Sequence, residues 1–402
     1  MNATIHRMIG IALRVAIIAA CGYGTWTSLE LARADALFRK DTEQSVRDAI
    51  RIAPGGWPYY MRLAQFDPLH AKALLQTSLQ LNRYDAQAAI ELGMQYENDG
   101  DFVRAERQML DAYQVDHTYL PRWSLANYYF RRGNIPAFWT WARSAASMPA
   151  DEIGALFELC WRVSPNPQVL TAQLLNEKPE MLRQYVGFLL GKDQPAEVAR
   201  IAPHLVRAGD PQSDRALLLA VVQTLTDRND AAQATGLWRL LIDARWVVAD
   251  STLPNNGSFQ REPLPVSFDW SLPEYDGLHS WPGSSGLESE FTGSEPEQCT
   301  IAEQTVSLAP GDYVLNYAYH TADIPSGTGI KWQIFDPVLG VVIAESSSLS
   351  SDDLSQSHLE FTVSPGQPLL RVRLIYNRTL GTPRISGSLD VQSTQIQVIK
   401  KL

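Results

Sequence analysis

The sequence predicts an α + β multidomain protein with an N-terminal transmembrane helix, an α-helical repeat domain (an α-solenoid) and a C-terminal antiparallel β-sandwich. Three observations predict it: an apolar stretch near the N-terminus, a helical pattern that recurs along the chain, and a change from helical to strand periodicity after Trp246. The predicted boundaries are residues 1–28 for the membrane helix, 29–249 for the repeats and 250–402 for the sandwich. A chain of 402 residues is long enough for two or three domains that each bury a core.

The N-terminal stretch from Met8 to Trp26 is apolar over 19 residues, close to the ~20 that a helix needs to cross a bilayer. Arg7 precedes it, and Arg14 inside it is near enough to the same end to extend to the membrane surface. These features predict an uncleaved signal anchor of a bacterial inner-membrane protein, single-pass, with its N-terminus in the cytoplasm and its bulk in the periplasm. One alternative is a lipoprotein lipidated at Cys21, since Ile18-Ala19-Ala20-Cys21 resembles a lipobox. Another is a buried helix of a soluble protein.

Charge is distributed unevenly between the predicted domains. Residues 251–402 contain 8 Lys and Arg against 17 Asp and Glu, a net −9, whereas the first 250 residues contain 26 against 27, a net −1. Because nucleic-acid binding depends on a basic surface that releases counterions, no nucleic-acid partner is expected. Calcium or a basic surface suits the acidic part better than nucleic acid does, and the simpler explanation of the acidic part is a well-solvated exterior. Cys21, Cys160 and Cys299 have no zinc-binding spacing.

The helical pattern repeats. Four pairs of a leucine and a small residue recur at spacings of 32, 29 and 33 residues: Leu31-Ala32, Leu63-Ala64, Leu92-Gly93 and Leu125-Ala126. The clearest unit contains Leu92-Gly93-x-x-Tyr96 followed by Ala105-x-x-x-Met109, in which small residues let two antiparallel helices approach each other. It resembles the tetratricopeptide-repeat family, although Ala89 and His117 stand where that family has tryptophan and proline. The resemblance implies a superhelical array that binds a protein partner in a concave groove, without enzymatic activity.

The candidate partner-binding residues lie in one unit of this array. Guanidinium groups beside tyrosine rings suit a carboxylate or an extended chain, and the alternative is that these arginines are simply solvated on helix surfaces. The candidates are Arg122, Trp123, Tyr128, Tyr129, Arg131 and Arg132.

The last 150 residues follow the two-residue period of strands. In "DYVLNYAYHT" one face carries Tyr313, Leu315, Tyr317 and Tyr319, and "IKWQIF" and "LLRVRLIY" alternate in the same way. Seven or more such segments, separated by turn sequences, predict an antiparallel sandwich. The junction "NNGSFQREPLPVSFDW" (255–270) is expected to begin its first strands. "NGSF", "FDW" and "APGDYVLNYAY" resemble the jelly-roll sandwiches of carbohydrate-binding modules, including discoidin-like relatives, which implies a glycan ligand.

Sugar binding requires aromatic faces that stack on pyranose rings and planar polar groups for the hydroxyls. The candidates are two tryptophans in loop-rich sequence, expected to be exposed, and six residues on the polar strand faces, expected to line one groove; the alternative is that the tryptophans are core and the polar faces solvated. They are Trp270, Trp281, Asn316, His320, Lys331, Gln333, Arg371 and Arg373.

The same resemblance implies a structural calcium ion, with Asn256, Gly257 and Asp390 as candidate ligands. Gln260 stands where the related modules often have a glutamate, which weakens the ligand set. No other cofactor is expected.

No familiar catalytic motif is present, so no enzymatic activity is expected. The acidic segment with Glu288, Glu290, Glu295 and Glu297 supplies candidate glycosidase carboxylates, which solvated loop positions explain more simply. The leading hypothesis is a membrane-anchored envelope scaffold whose repeats bind a protein and whose sandwich binds a glycan, in exopolysaccharide or cell-surface polysaccharide assembly. The alternatives are a scaffold for proteins alone, with a structural sandwich, and a carbohydrate-processing enzyme.

Overall fold

The computed structural model of the protein describes residues 2–149, 153–175 and 178–401, with the backbone alone at residues 2–12, 15, 400 and 401. In this part of the chain, fourteen helices are followed by nine strands. The helices are α1 (Asn2–Phe38), α2 (Glu43–Ile52), α3 (Trp57–Phe66), α4 (Ala71–Leu81), α5 (Ala86–Asn98), α6 (Phe102–Val115), α7 (Tyr119–Arg131), α8 (Ile135–Ala146), α9 (Gly154–Val163), α10 (Pro167–Leu174), α11 (Pro179–Gly191), α12 (Pro195–Ala208), α13 (Pro211–Asp227) and α14 (Ala231–Asp243).

The strands are β1 (Leu278–Pro282), β2 (Leu287–Thr292), β3 (Gln298–Val306), β4 (Gly311–Ala322), β5 (Ile330–Asp336), β6 (Val341–Glu345), β7 (Ser355–Val363), β8 (Leu370–Asn377) and β9 (Ser386–Lys401). Contacts divide the chain into two compact units, residues 1–176 and 177–402. The first unit contains α1 to α10, and the second contains α11 to α14 together with the nine strands. The predicted domain boundary at residue 250 stays a prediction.

Helix α1 is 37 residues long and packs against α2 through its C-terminal end, where Ala34 is fully buried. Nearer its N-terminus, Ile17, Ile18, Tyr23 and Trp26 are 53–73% exposed. Among the described residues, no helix combines the length and the apolar character needed to span a bilayer. The structure therefore does not support the predicted transmembrane helix, and the side chains at positions 8–12 and 15 of the predicted span lie outside the described residues.

The predicted repeats are confirmed as antiparallel helix pairs. Helices α5 and α6 form one pair and α7 and α8 the next, and equivalent helices begin 33 residues apart. Side-chain caps define where they start: Asp101 accepts a hydrogen bond from the N–H of Arg104 at the start of α6, at 3.1 Å. Each pair turns at a glycine with a positive φ, Gly100 at 79° and Gly133 at 67°. The sequence pattern therefore located the helix pairs.

Close packing within a repeat depends on Gly93. A Cβ atom at this position lies 3.0 Å from Met109 Cγ and 3.1 Å from the carbonyl oxygen of Ala105, so a larger side chain pushes α5 and α6 apart. We expect Gly93→Leu to lower the free energy of unfolding of the first unit by about 1–3 kcal/mol. Urea denaturation followed by helical circular dichroism measures the change.

The control for this variant is Gly187→Ala in α11, where no atom lies within 4 Å of the added carbon. Because alanine favours helix over glycine by up to about 1 kcal/mol, the control should leave stability unchanged or raise it slightly. Equal destabilisation by both variants would contradict the assignment of Gly93 to a close helix contact.

The strands form the predicted antiparallel sandwich. One sheet has the order β1-β2-β9-β4-β7 and the other β3-β8-β5-β6, which is the strand order of a jelly roll with β1 added at one edge. Alternate residues of β4 are buried, including Leu315, which is fully buried, and the core between the sheets is centred on Trp332 and Tyr376. The alternation predicted from the sequence is therefore confirmed.

The junction of residues 255–270 contains no regular strand, so the expectation that it begins the first strands is wrong. It is held to the sandwich by single bridges, such as the N–H of Thr394 to the carbonyl oxygen of Gly257 at 2.7 Å. Phe259 has a φ of 54°, a turn conformation that no strand residue adopts. The first strand begins instead at Leu278. Aromatic residues in the junction are nevertheless core, since Phe259, Phe268 and Trp270 are at most 5% exposed.

Candidate binding site

A cleft of about 750 Å³ lies in the second unit, between α13, the junction and the outer surface of the sandwich. Its walls are Gln223 and Asp227 of α13, residues 262–267, residues 270–272 and 274, residues 279–282 of β1, Glu303 and Thr305 of β3, and Arg371 of β8. A volume of this size is typical of sites that take a small ligand. We call this feature the cleft.

Side-chain hydrogen bonds place the junction against α13 and β3. Gln223 Oε1 accepts from both the N–H and the hydroxyl of Ser267, at 2.8 and 2.7 Å. The carbonyl oxygen of Ser267 in turn accepts from the N–H of Thr305 at 2.7 Å. Next to this bridge, the rings of Trp238 and Phe268 stack at 5.8 Å. One wall of the cleft is thus fixed by contacts to both a helix and a strand.

Asp269 holds the end of the junction in a turn. Its carboxylate accepts from the backbone N–H of Leu264 at 3.1 Å and of Trp270 at 2.9 Å. Burial raises the pKa of the Asp269 carboxyl above its usual value, and these two N–H bonds oppose that effect. The proline-rich stretch 262–266 therefore follows one defined path along the rim.

Two aromatic rings stand side by side on β1. His279 and Trp281 project from the same face of the strand, and their ring centroids are 5.0 Å apart with 32° between the planes. His279 is exposed and Trp281 is partly exposed. The pair offers an aromatic surface at the wall of the cleft.

The side chain of Thr305 on β3 lines the cleft. Thr305 is 4% exposed, and its side chain makes no hydrogen bond with another described residue. Beside it, Glu303 accepts from Arg371 Nη1 at 3.1 Å and from Arg373 Nε. Thr305 is therefore available to a ligand, whereas Glu303 and the two arginines satisfy one another.

Carboxylates surround the rest of the cleft. Asp227 accepts a hydrogen bond from Gln223 at 2.8 Å, and Glu262 and Glu274 form no ion pair with the described residues. With histidine counted as neutral, four carboxylates against the single guanidinium of Arg371 give the lining a formal net charge of −3. The cleft is therefore acidic.

Of the predicted sugar-binding residues, Trp281 and Arg371 line the cleft and Trp270 forms its floor. Trp270 is only 1% exposed, and its indole Nε1 donates to the carbonyl oxygen of Asn256 at 3.1 Å. The expectation of an exposed tryptophan is thus wrong for Trp270, because its ring is packed against Phe259 and Trp332.

The six polar strand residues do not line one groove, because they belong to different sheets. Asn316 and His320 lie on β4, whereas Lys331, Gln333, Arg371 and Arg373 lie on β5 and β8 of the other sheet. Their outward side chains point to opposite sides of the sandwich. The two-residue period distinguishes inside from outside and does not identify the sheet.

Most of these six side chains already have partners. Lys331 and Gln333 both donate to Glu345, at 3.0 and 3.2 Å, and His320 Nδ1 lies 3.0 Å from Asp390 Oδ2. Asn316 lines a separate cavity of about 450 Å³ with several other amide and hydroxyl side chains.

The three predicted calcium ligands are not assembled into a site. Asn256 is 1% exposed, and its side-chain amide bonds to the backbone N–H and carbonyl of Arg261 at 3.2 and 2.7 Å. Gly257 is paired with Thr394, four residues along β9 from Asp390, which is a distance of about 13 Å in a strand. No group of three His, Cys, Asp or Glu side chains suited to a metal ion is found among the described residues.

The predicted partner-binding residues mainly join helices of the first unit. Tyr128 is 3% exposed, and its hydroxyl donates to the carbonyl oxygen of Phe102 at 2.9 Å; Tyr129 is 8% exposed, and its hydroxyl donates to Glu106 at 2.5 Å. Arg122 donates to the hydroxyl of Ser144 in α8 at 2.8 Å. The expectation that these tyrosines contact a partner is therefore not supported by their positions.

The remaining three residues of the predicted groove are more accessible. Arg131 makes two bonds to Glu97 of α5, at 2.9 and 2.7 Å. The Arg132 guanidinium lies 3.4 Å from the centre of the Phe102 ring, and Trp123 stacks on Tyr119. The contacts of Arg131 and Arg132 connect neighbouring helices, whereas Trp123 and Tyr119 lie on the same helix, α7.

The candidate glycosidase carboxylates lie outside the cleft. Glu295 is 1% exposed and accepts from the N–H of Gly293 at 2.9 Å, and Glu297 pairs with Arg378 at 2.8 Å. Glu288 and Glu290 lie on β2. That the protein has no enzymatic activity stays a prediction.

Sequence reasoning missed His279, Thr305 and the three rim carboxylates Asp227, Glu262 and Glu274. The alternation in "LHSWP" is a signal that places His279 and Trp281 on one face. Nothing in the sequence signals that Asp227, on a helix, lies beside strands that follow it by more than fifty residues.

The chain matches no protein-family model and no curated protein. Among solved structures, it is similar to TmCBM61 in complex with beta-1,4-galactotriose (13% identity, 37% of this chain and 99% of that chain, TM-score 0.26). It is also similar to PilW, a widely conserved type IV pilus biogenesis factor (11% identity, 54% and 92%, TM-score 0.26), and to Pseudomonas aeruginosa pilF (17% identity, 55% and 90%, TM-score 0.24). At these TM-scores the similarities carry no argument about function.

Proposed function

We propose that the protein is a non-enzymatic binding scaffold whose cleft binds a saccharide. The observation that supports this most directly is the pair of His279 and Trp281 rings, 5.0 Å apart and open to the cleft. A pyranose ring presents C–H groups that stack on an aromatic face. The cleft therefore offers a stacking surface together with polar groups that a sugar needs.

The polar groups match the hydroxyls of a saccharide. The Thr305 hydroxyl is both a donor and an acceptor, and the Glu262 and Glu274 carboxylates accept hydrogen bonds. Because the Thr305 hydroxyl has no partner among the described residues, a ligand hydroxyl can bond to it without displacing a hydrogen bond within the protein.

We also propose that the helix pairs of the first unit bind a protein partner. Val103, at 81% exposure, and Leu120, at 44%, are apolar side chains at the starts of α6 and α7. Stacked helix pairs present such side chains at regular intervals along an extended surface. A protein scaffold with a purely structural sandwich is the second candidate function, and saccharide binding distinguishes the two.

An extracytoplasmic location, with α1 as the anchor, and a role in cell-surface polysaccharide assembly are further parts of the proposal. The exposed apolar residues Ile17, Ile18, Tyr23 and Trp26 of α1 support it. A reporter enzyme that is active only outside the cytoplasm should be active when it is fused after Lys40. Activity of a cytoplasmic reporter at the same position would overturn the topology.

Replacement of Trp281 by alanine tests saccharide binding. Stacking of this kind contributes about 0.5–1.5 kcal/mol in addition to the free energy gained by burying apolar area. We therefore expect the variant to bind about tenfold more weakly. Calorimetric titration of the full chain with a panel of oligosaccharides, followed by titration of the variant with those that bind, gives the measurement.

The matched control is Trp26→Ala, which removes a tryptophan that is 62% exposed on α1 and is not part of the cleft lining. The control should bind as the unmodified chain does. Absence of binding by the unmodified chain at millimolar saccharide would leave the protein scaffold as the better proposal.

A further inference from the structure

We propose that the cleft selects saccharides that carry a positively charged amino group over neutral or acidic ones. This inference rests on the proposed saccharide binding and names the class of sugar. It follows from the charge of the lining, the aromatic pair and the unpartnered hydroxyl, which together describe a site for a cationic sugar unit.

The negative charge of the cleft is not neutralised by the protein. Glu303 is bonded to Arg371 and Arg373, so this cluster of three groups keeps a net charge of +1. Asp227, Glu262 and Glu274 have no cationic partner among the described residues. The three carboxylates outweigh the single positive charge of the Glu303 cluster, and the resulting negative potential favours a cation and repels a uronate.

The aromatic pair favours the same class of ligand. A cation near the face of an indole ring is attracted by the negative potential of the ring, and Trp281 places such a face on the cleft wall. A sugar with an ammonium group combines stacking of its ring with this attraction. A metal ion does not make use of the ring, and no cluster of metal ligands is found in the described part of the chain.

The third observation points to a sugar rather than to an isolated charge. Thr305 is 4% exposed and lines the cleft, and its side-chain hydroxyl has no hydrogen-bond partner among the described residues. A ligand that carries hydroxyl groups beside its ammonium group satisfies Thr305 and the carboxylates together. A lysine side chain carries the charge without neighbouring hydroxyls.

Calorimetric titration of the full chain tests the proposal with four probes at pH 7.5. The probes are a glucosamine oligosaccharide with free amines, its N-acetylated form, its N-trimethylated form with a fixed charge, and a glucuronate oligosaccharide. We expect the fixed-charge form to bind at least tenfold more tightly than the N-acetylated form, and the glucuronate form to bind most weakly. This preference should decrease as NaCl rises from 50 to 300 mM, because salt screens the charges.

A variant with Asp227→Asn, Glu262→Gln and Glu274→Gln should lose the preference while it retains binding of the N-acetylated form. The matched control carries Asp352→Asn, Asp353→Asn and Glu360→Gln, three exposed acidic residues of the same unit that do not line the cleft. The control should keep the full preference. Melting curves of both variants confirm that each is folded.

The outcomes separate this inference from the function on which it rests. Equal binding of all four probes overturns the charge preference and leaves saccharide binding in place. Binding of no probe overturns saccharide binding itself. Tighter binding of an oligolysine peptide than of any saccharide, abolished by the same three substitutions, overturns the assignment to sugars in favour of a basic peptide.

Discussion

Trp270→Ala is expected to lower the free energy of unfolding of the second unit by about 3–5 kcal/mol, the range found when a large aromatic core residue is truncated. Trp270 is 1% exposed, and its ring lies 4.8 Å from that of Phe259 and 6.1 Å from that of Trp332. Its removal leaves a cavity and also leaves the carbonyl oxygen of Asn256 without the indole N–H. Urea denaturation of the full chain, followed by fluorescence of the remaining tryptophans, measures the loss.

Two further variants separate the causes. Trp281→Ala truncates a tryptophan of the same unit that is only partly buried, and should cost much less stability. Trp270→Phe refills part of the cavity and restores part of the loss, but leaves the Asn256 carbonyl unpaired. If Trp270→Ala and Trp281→Ala destabilise equally, the placement of Trp270 in the core is wrong.

Asp214→Ala is expected to have the second largest effect and to lower the free energy of unfolding of the second unit by about 2–4 kcal/mol. The Asp214 side chain is 1% exposed and accepts from Arg183 Nε at 2.5 Å, Arg183 Nη2 at 3.1 Å and the N–H of Asp210 at 2.9 Å. Removal of one partner of a fully buried pair costs about 3–5 kcal/mol, and the 34% exposure of Arg183 reduces this cost. Thermal and urea denaturation of the second unit provide the measurement.

The pH dependence of Asp214→Asn is a check on this interpretation. Burial alone would raise the pKa of the Asp214 carboxyl, but the bonds from Arg183 and from the N–H of Asp210 outweigh burial and lower it below the usual value. The carboxylate therefore contributes stability that is fully present above the unfolded pKa of about 3.9 and is lost as pH falls through the folded pKa. The difference in free energy of unfolding between the unmodified chain and Asp214→Asn should be largest above about pH 5 and should decrease below about pH 4.

The control for Asp214 is the exposed pair of Asp193 and Arg228, removed by Arg228→Ala because the φ of 62° at Asp193 disfavours alanine at that position. Asp193 also pairs with an arginine, Arg228, but the two side chains are 76% and 43% exposed, so this pair should contribute at most about 1 kcal/mol. A loss of stability equal to that of Asp214→Ala would show that burial does not distinguish the two pairs.

The sequence predicted the secondary structure because each pattern has a local cause. The leucine and small-residue pairs repeat with the helix pairs, and the alternation around Tyr313 and Leu315 marks the inner face of β4. The same alternation does not show to which sheet a strand belongs, because that depends on pairing between strands that are distant in the sequence. That is why Asn316 and Arg371 were expected in one groove and lie on opposite sheets.

The cleft was only partly predictable. Trp281 and Arg371 were identified from their residue types, whereas Thr305 acquires its role through the junction that covers it, and Asp227 through the docking of Ser267 on Gln223. These contacts join segments about forty to eighty residues apart, and no period in the sequence reports them.

The position of β9 in the sheet has a consequence for synthesis of the protein. β9 pairs with both β2 and β4, yet it is translated after every other strand of the sheet. From the completion of β2 at residue 292 and of β4 at residue 322 until β9 is made, each of these strands keeps an open edge that neighbouring chains can pair with. We therefore expect the nascent second unit to depend on chaperones until β9 emerges, and premature termination before residue 386 to yield insoluble chains.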